Sequence, residues 1–245
     1  MVSQTEPSNE FQVVSRAKRP QRPVDVFARA KSNLARHETA LSKSTFFLEL
    51  VSKLDSWKLQ NRTDWSCLRC LALGQPVEHS QALYQLAFLN LLAKRYNIRS
   101  VSLYDPAFTK QDEQLLCDLD YKVEEFFEEK ETDSILFYIP HSPISLLETV
   151  FLTRPKWIIT NDVSLYTNKY TSKEYKDKYP QCATISHNIG RTKDDGFTVV
   201  ASKKKKVQVK TDFPKLALSV QKLGPDSSNQ WGNAFSDLCL YLFSA

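Results

Sequence analysis

At 245 residues, 42% of them apolar, the chain is long enough to bury one good-sized core. No apolar run approaches the ~20 residues that span a bilayer, and the N-terminus lacks the apolar stretch of a secretory signal, so a membrane role is not expected. The net charge of +5 is uneven: residues 1–62 hold 11 Lys or Arg against 6 acids, and Lys110–Asp133 holds 10 acids against 3 lysines, a polarisation that argues against a dedicated nucleic-acid binder.

Met1–Pro23 is polar and Pro-punctuated, with Arg16, Lys18, Arg19 and Arg22, and reads as a disordered basic tail over residues 1–23. Residues 24–62 change to a helical pattern, with Phe27, Leu34 and Leu41, then Phe46, Phe47, Leu50, Val51 and Leu54 at helical intervals. This is an N-terminal helical cover. Residues 63–245 read as the α/β domain it covers.

Cys67–Leu73 is a nearly unbroken apolar run that Gly74, Gln75 and Pro76 stop before Ser80 opens a helix. Along Gln81–Lys94, Leu83, Leu86, Ala87, Leu89 and Ala93 recur at spacings of three, four and seven, a stripe fit to pack on a sheet. A second strand, Ser100–Tyr104, ends at Asp105-Pro106. The unit is βαβ, which implies a Rossmann-like, mostly parallel sheet flanked by helices. Thr109 and Asp112 mark a capped helix carrying Leu115, Leu116 and Leu119. Tyr121–Phe127 reads as a third strand, Ile135–Ile139 as a fourth, and Trp157–Thr160 as a fifth. Between the last two, Ser142-Pro143 starts a helix, with proline at its first position. A 3-2-1-4-5 strand order makes one joint difficult. The six residues between Phe127 and Ser134, at ~3.5 Å each, barely cross three strand spacings of ~4.8 Å. Either the third strand is very short or it runs antiparallel.

Beyond Asn161 the pattern weakens. Tyr166–Tyr179 reads as a solvated helix or long loop. Phe197–Val209 reads as a basic loop or hairpin whose tip carries Lys203, Lys204, Lys205 and Lys206. Gly224–Asn229 is a linker by composition, and Trp231–Phe243 returns to apolar residues that rejoin the core.

Candidate site residues follow from the strand ends, because ligands in such sheets sit beyond the carboxyl ends of the strands. Gly74 ends the first strand where a glycine-rich cofactor turn is expected. Pro76, Glu78 and Ser80 stand where further glycines are needed, so pyrophosphate binding by backbone approach is not supported. Asp105 is placed either to accept from a ribose hydroxyl or simply to open an Asp-Pro turn. His141 follows the fourth strand at the same rim, two residues after Tyr138. It is either an acid, base or ligand near neutrality, or a histidine bonding a helix end. His79 and Ser80 in the first loop, Tyr104 beside Asp105, and Asn161 after the fifth strand complete the ligand-binding candidates. No spacing enforces a metal site. Cys67 and Cys70 form a CxxC whose members point to opposite faces of a strand, so they read as core thiols. Five cysteines without framework spacing indicate reduced thiols. The lysine run 203–206 reads as an import patch, a phosphate-binding tip or a solvated loop. The acids Glu124, Glu125, Glu128, Glu129 and Glu131 read as a solvated edge that discourages sheet pairing.

Several of these stretches, taken together, resemble a known family. Cys70-Leu71-Ala72-Leu73-Gly74, Ser80 with Ala82–Ala87, Tyr104-Asp105-Pro106 with Phe108-Thr109, Leu136–His141 and the closing Ala234-Phe235-Ser236-Asp237 are similar, in this order, to the motifs of the SRR-like (sensitivity to red light reduced) domain family. The chain departs from the family pattern in three places. Ser142 stands where a cysteine is frequent, Thr160 where a glycine is common, and Leu238 where a small polar residue is usual. Residues 197–210 look inserted. The resemblance implies a regulatory protein of cytoplasm and nucleus, acting through protein partners or a small ligand in circadian, haem-biosynthesis or microtubule-related control. It names no cofactor and no reaction. A cryptic enzyme holding a nucleotide-like cofactor between Gly74 and Asp105, with His141 as acid or base, is the alternative.

Overall fold

The computed structural model of the protein describes residues 25–127, 133–191, 214, 216–223 and 231–243. Two capped helices come first, α1 (Val26–Ser42) and α2 (Thr45–Asn61), opened by Asp25 and Ser44, whose side chains accept from the backbone N–H groups of Ala28 and Phe47. The sheet strands and their crossover helices follow: β1 (Cys67–Leu71), α3 (Ser80–Tyr96), β2 (Ser100–Tyr104), α4 (Lys110–Cys117), β3 (Lys122–Val123), β4 (Ile135–Ile139), α5 (Ile144–Leu152) and β5 (Trp157–Asn161). A 3-10 helix (Val163–Lys169), α6 (Ser172–Lys178), α7 (Pro180–Arg191), β6 (Leu218–Lys222) and β7 (Leu238–Phe243) complete the described elements. No helix among the described residues is long and apolar enough to cross a membrane.

The seven described strands form one sheet in the order β3-β2-β1-β4-β5-β7-β6. Strands β1 to β5 pair in parallel, while β7 runs antiparallel to both β5 and β6. The difficult joint resolves through length. The third strand is parallel, but only Lys122–Val123 pair with β2 rather than the whole of Tyr121–Phe127. The return to β4 therefore begins at Glu124, adding four residues to the link. Its first part is held against the sheet by Glu124 beside Arg69 at 3.2 Å and by Phe127, whose ring lies 6.5 Å from that of Phe137.

Alternation along the strands divides the core into two layers. Leu68, Cys70, Leu136, Tyr138 and Ile159 join the layer under α1 to α4, and Leu71, Phe137, Ile139 and Ile158 join the layer under α5 to α7. Helix α3 is buried nearly all round, on Leu83, Leu86, Phe88, Leu89, Asn90 and Leu92 among others, because α1 covers the side that the sheet does not. One of its two buried amides is satisfied there: Asn90 donates to Glu38 of α1 at 2.8 Å and accepts from the Tyr121 hydroxyl at 2.8 Å. The N-terminal helices therefore form part of the core rather than an appendage.

Three expectations shift. Pro143 is the residue before α5, not its first helical residue. The stretch read as one solvated helix or loop is a 3-10 helix followed by α6, and amphipathic α7 follows it, burying Cys182, Ala183, Ile185 and Ile189. Strand β6 adds an edge that short, mixed-polarity Leu218–Lys222 did not announce. The basic tail, the linker and the lysine hairpin lie outside the described residues.

Candidate functional site

The sheet order reverses between β1 and β4. From β1 the chain moves outward through β2 and β3, then returns to the other side of β1. A crevice at the carboxyl ends of the strands is the general consequence of such a reversal. Here it is a cavity of about 470 Å³, within the ~300–1,000 Å³ of small-molecule sites.

Its floor is the turn after β1. Ala72 and Gly74 both adopt positive φ, +53° and +80°, a conformation that costs an alanine ~1–2 kcal/mol. Hydrogen bonds from the β2 end offset that cost. The Ala72 N–H donates to the Tyr104 carbonyl at 3.2 Å, and the Gly74 N–H donates to Asp105 Oδ2 at 2.7 Å. Asp105 Oδ1 accepts from the Ala107 N–H at 2.8 Å. Asp105 is therefore both the turn-opening aspartate and a brace across the floor, and each carboxylate oxygen keeps further acceptor capacity on a side chain that lines the cavity. Gln75 Nε2 donates to the Ala107 carbonyl at 2.8 Å. Asp112, fully buried, accepts from the backbone N–H groups of Val77 and Thr109, both at 2.9 Å, and from the Thr109 hydroxyl at 2.7 Å. The two loops are thus laced together before any ligand arrives.

Tyr104, Asp105 and Pro106 form one wall of the cavity, His79 and Ala82 another, and His141, Pro143 and Leu146 the third. His141 is exposed, and its Nδ1 lies 3.3 Å from the Pro140 carbonyl. Gln85, which also lines the cavity, donates to the Ala234 carbonyl at 2.9 Å, and Tyr84 meets the Trp231 ring edge-on at 5.3 Å. The closing segment is thereby fastened to the helix that flanks the site.

The sequence candidates separate into three groups. Gly74, His79, Tyr104, Asp105 and His141 converge on the cavity. Asn161 lies across His141, in a second, smaller cavity, where its Oδ1 accepts from the Ser142 N–H at 3.3 Å. Ser80 and Tyr138 do not join the site. Ser80 is the exposed first residue of α3 and lines neither cavity. Tyr138 is fully buried on the α3 side of the sheet, 5.1 Å from the Phe88 ring, because alternation along β4 turns it away from the rim. Burial pushes the Tyr138 hydroxyl up, and the Cys70 thiol opposite it on β1 is likewise raised, first by burial and then by the Asp105 charge. Cys70 belongs to one core layer and Cys67 packs against the other, so the CxxC pair is split by the sheet. No group of metal-binding side chains is present among the described residues. Lys203–Lys206 lie outside the described residues. The sequence did not single out Gln75, Gln81, Gln85, Pro106, Pro143 or Leu146, because their approach depends on how the loops fold back. Nor did it single out Ala72, whose positive φ leaves no mark in residue type.

Comparison with known proteins identifies the family. The SRR1 domain model matches residues 34–242, a span that includes both cavities and most of the helical cover. The chain belongs to the SRR1 family. Among its relatives is an SRR1-like protein of Drosophila melanogaster, 25% identical over 135 residues, which make up 54% of this chain and 49% of that protein. The chain thus spans about half the length of that curated relative. Among solved structures, the SRR1 chain is similar to the plantazolicin methyltransferase BpumL in complex with a triazolic desmethylPZN analog and SAH (TM-score 0.41, 12% identity, covering 89% of this chain and 90% of that one). It is also similar to a putative O-methyltransferase from Klebsiella pneumoniae (TM-score 0.42, 12% identity, 92% of each chain).

Proposed function

We propose that this SRR1-family chain is a regulatory protein that reports the occupancy of a small nucleoside-type ligand held at the β1–β2–β4 rim. The observation that carries the reading is the cavity of about 470 Å³ on whose walls Gly74, Asp105 and His141 meet. An acidic residue at the end of the second strand is where a ribose hydroxyl is accepted in sheets of this kind. Asp105 stands there with both carboxylate oxygens oriented by backbone donors. Apolar Ala82, Pro106, Pro143 and Leu146 suit the faces of a flat heterocycle. A regulatory rather than catalytic role is favoured because, among the described residues, the rim histidines His79 and His141 form no hydrogen bond with a second side chain that would orient them, as an acid–base pair requires. The cellular outputs are those the family resemblance implies, namely circadian timing, haem biosynthesis or microtubule-related control, exerted through protein partners in cytoplasm and nucleus.

A thermal-shift screen with adenosine, adenosine-containing cofactors and haem tests the ligand directly. A compound at 100 times its dissociation constant adds ~2.7 kcal/mol of stability, and Leu146→Trp, which fills the cavity, should abolish that gain. Silence across the screen overturns the nucleoside reading. A Leu146→Trp protein with unchanged cellular output overturns the regulatory one.

A further inference from the structure

Beyond His141 lies the second cavity, of about 220 Å³, formed where β5 ends against the 3-10 helix and the segment entering β7. The two cavities share His141 as a wall. Unlike the first, this one is lined largely by polar and charged side chains, and their existing bonds determine what remains for a ligand.

Asp162, only 4% exposed, accepts from both the N–H and the hydroxyl of Ser164 and pairs with Lys222. Its charge is already compensated. The Tyr166 hydroxyl donates to the Ser142 carbonyl at 2.7 Å. Two charges remain. The Asp237 carboxylate, which faces Tyr166 closely enough to help raise its hydroxyl after burial and Cys182 have done so, makes no hydrogen bond or ion pair with another described residue. The Lys169 ammonium lies over the Tyr166 ring at 5.4 Å and likewise has no carboxylate partner among the described residues. The Asn161 amide donor, whose oxygen is occupied by Ser142, is also available.

We propose that this compartment binds a small zwitterion of amino-acid type, its ammonium toward Asp237 and its carboxylate toward Lys169. A simple cation would leave Lys169 uncompensated, and a simple anion would leave Asp237 so. A small molecule with both charges can meet both, since the two side chains line one cavity of about 220 Å³. The compartment stands by itself. Only the further statement that it holds a second molecule beside a nucleoside, with His141 between them, rests on the reading given under Proposed function. Both charged side chains are exposed, and an exposed ion pair contributes at most ~1 kcal/mol, so the affinity is weak.

Saturation-transfer NMR on the full chain suits weak binding, with three related probes: L-serine, ethanolamine, which is serine without its carboxylate, and 3-hydroxypropionate, which is serine without its ammonium. L-serine is expected to receive saturation, and the singly charged probes about fivefold less, the loss that corresponds to one exposed pair at ~1 kcal/mol. Asp237→Asn and Lys169→Ala should each weaken L-serine to the same degree, and neither side chain makes a hydrogen bond with another described residue. Leu146→Trp should leave the L-serine signal intact, which separates this site from the first cavity whether or not adenosine binds there. Absence of an L-serine signal, equal signals from all three probes, or an L-serine signal unmoved by both charge variants would overturn the proposal.

Discussion

Replacing Asp105 distinguishes a brace from a bystander. Its two oxygens accept from the backbone N–H groups of Gly74 at 2.7 Å and Ala107 at 2.8 Å, and each hydrogen bond to a charged group is worth ~1.5–3 kcal/mol when its partner is shielded from water. The Ala107 donor is exposed and can turn to solvent, whereas the Gly74 donor is half-buried and belongs to a turn already carrying two positive φ values. Asp105→Ala should therefore cost ~3 kcal/mol, nearly all of it at Gly74. For a domain of this size that is a fall in Tm of ~6–12 °C. Asp105→Asn should cost roughly half as much, because the amide retains one acceptor oxygen while presenting an NH2 group to a backbone donor. Urea titrations followed by tryptophan fluorescence provide the measurement, since Trp65, Trp157 and Trp231 are buried. A change within ~0.5 kcal/mol for Asp105→Ala, the range of ordinary surface substitutions, would refute the brace and return Asp105 to a purely ligand-facing role.

Asp112→Ala should cost ~3–4 kcal/mol in the same titration, since it leaves the buried Val77 N–H unpaired and removes the α4 capping box; a loss below ~1 kcal/mol would mean that water takes over the site. In native protein, a thiol reagent should modify exposed Cys117 first, while Cys70, Cys182 and Cys239 stay protected until unfolding. Burial raises the Cys70 and Cys182 thiols further out of the reactive range, and peptide mapping after brief alkylation checks the order. His37, its ring 3.8 Å from that of Tyr84, has a lowered pKa through burial first and Arg36 second. The unfolded chain therefore takes up that proton before the folded one, and the stability associated with neutral His37 is present above the ordinary pKa of ~6.5 and declines as pH falls below it. His37→Phe should lose less stability than the wild type between pH 7.5 and 5.5, and an equal loss in both proteins would contradict the assignment.

What residue order determined by itself was the repeating βαβ grammar. Apolar runs stopped by Gly74 or Asp105-Pro106, the Thr109–Asp112 cap and the helical stripe of α3 are local signals, each complete within a few residues. They placed β2 and β4 at their observed bounds and brought Gly74, Asp105 and His141 to one rim. The features that required the tertiary structure depend on partners far apart in the chain. Tyr138 turned away because strand alternation is counted from a register set by β1. Gln85 became a clasp only because Ala234, 149 positions later, returns to it. Strand β6 formed from a weakly patterned segment because β7 offered it an unpaired edge, and the second cavity exists only where β5, the 3-10 helix and the entry to β7 meet. Local chemistry is written in neighbouring residues, whereas long-range hydrogen bonds and burial on both sides of an element are properties of the packed chain.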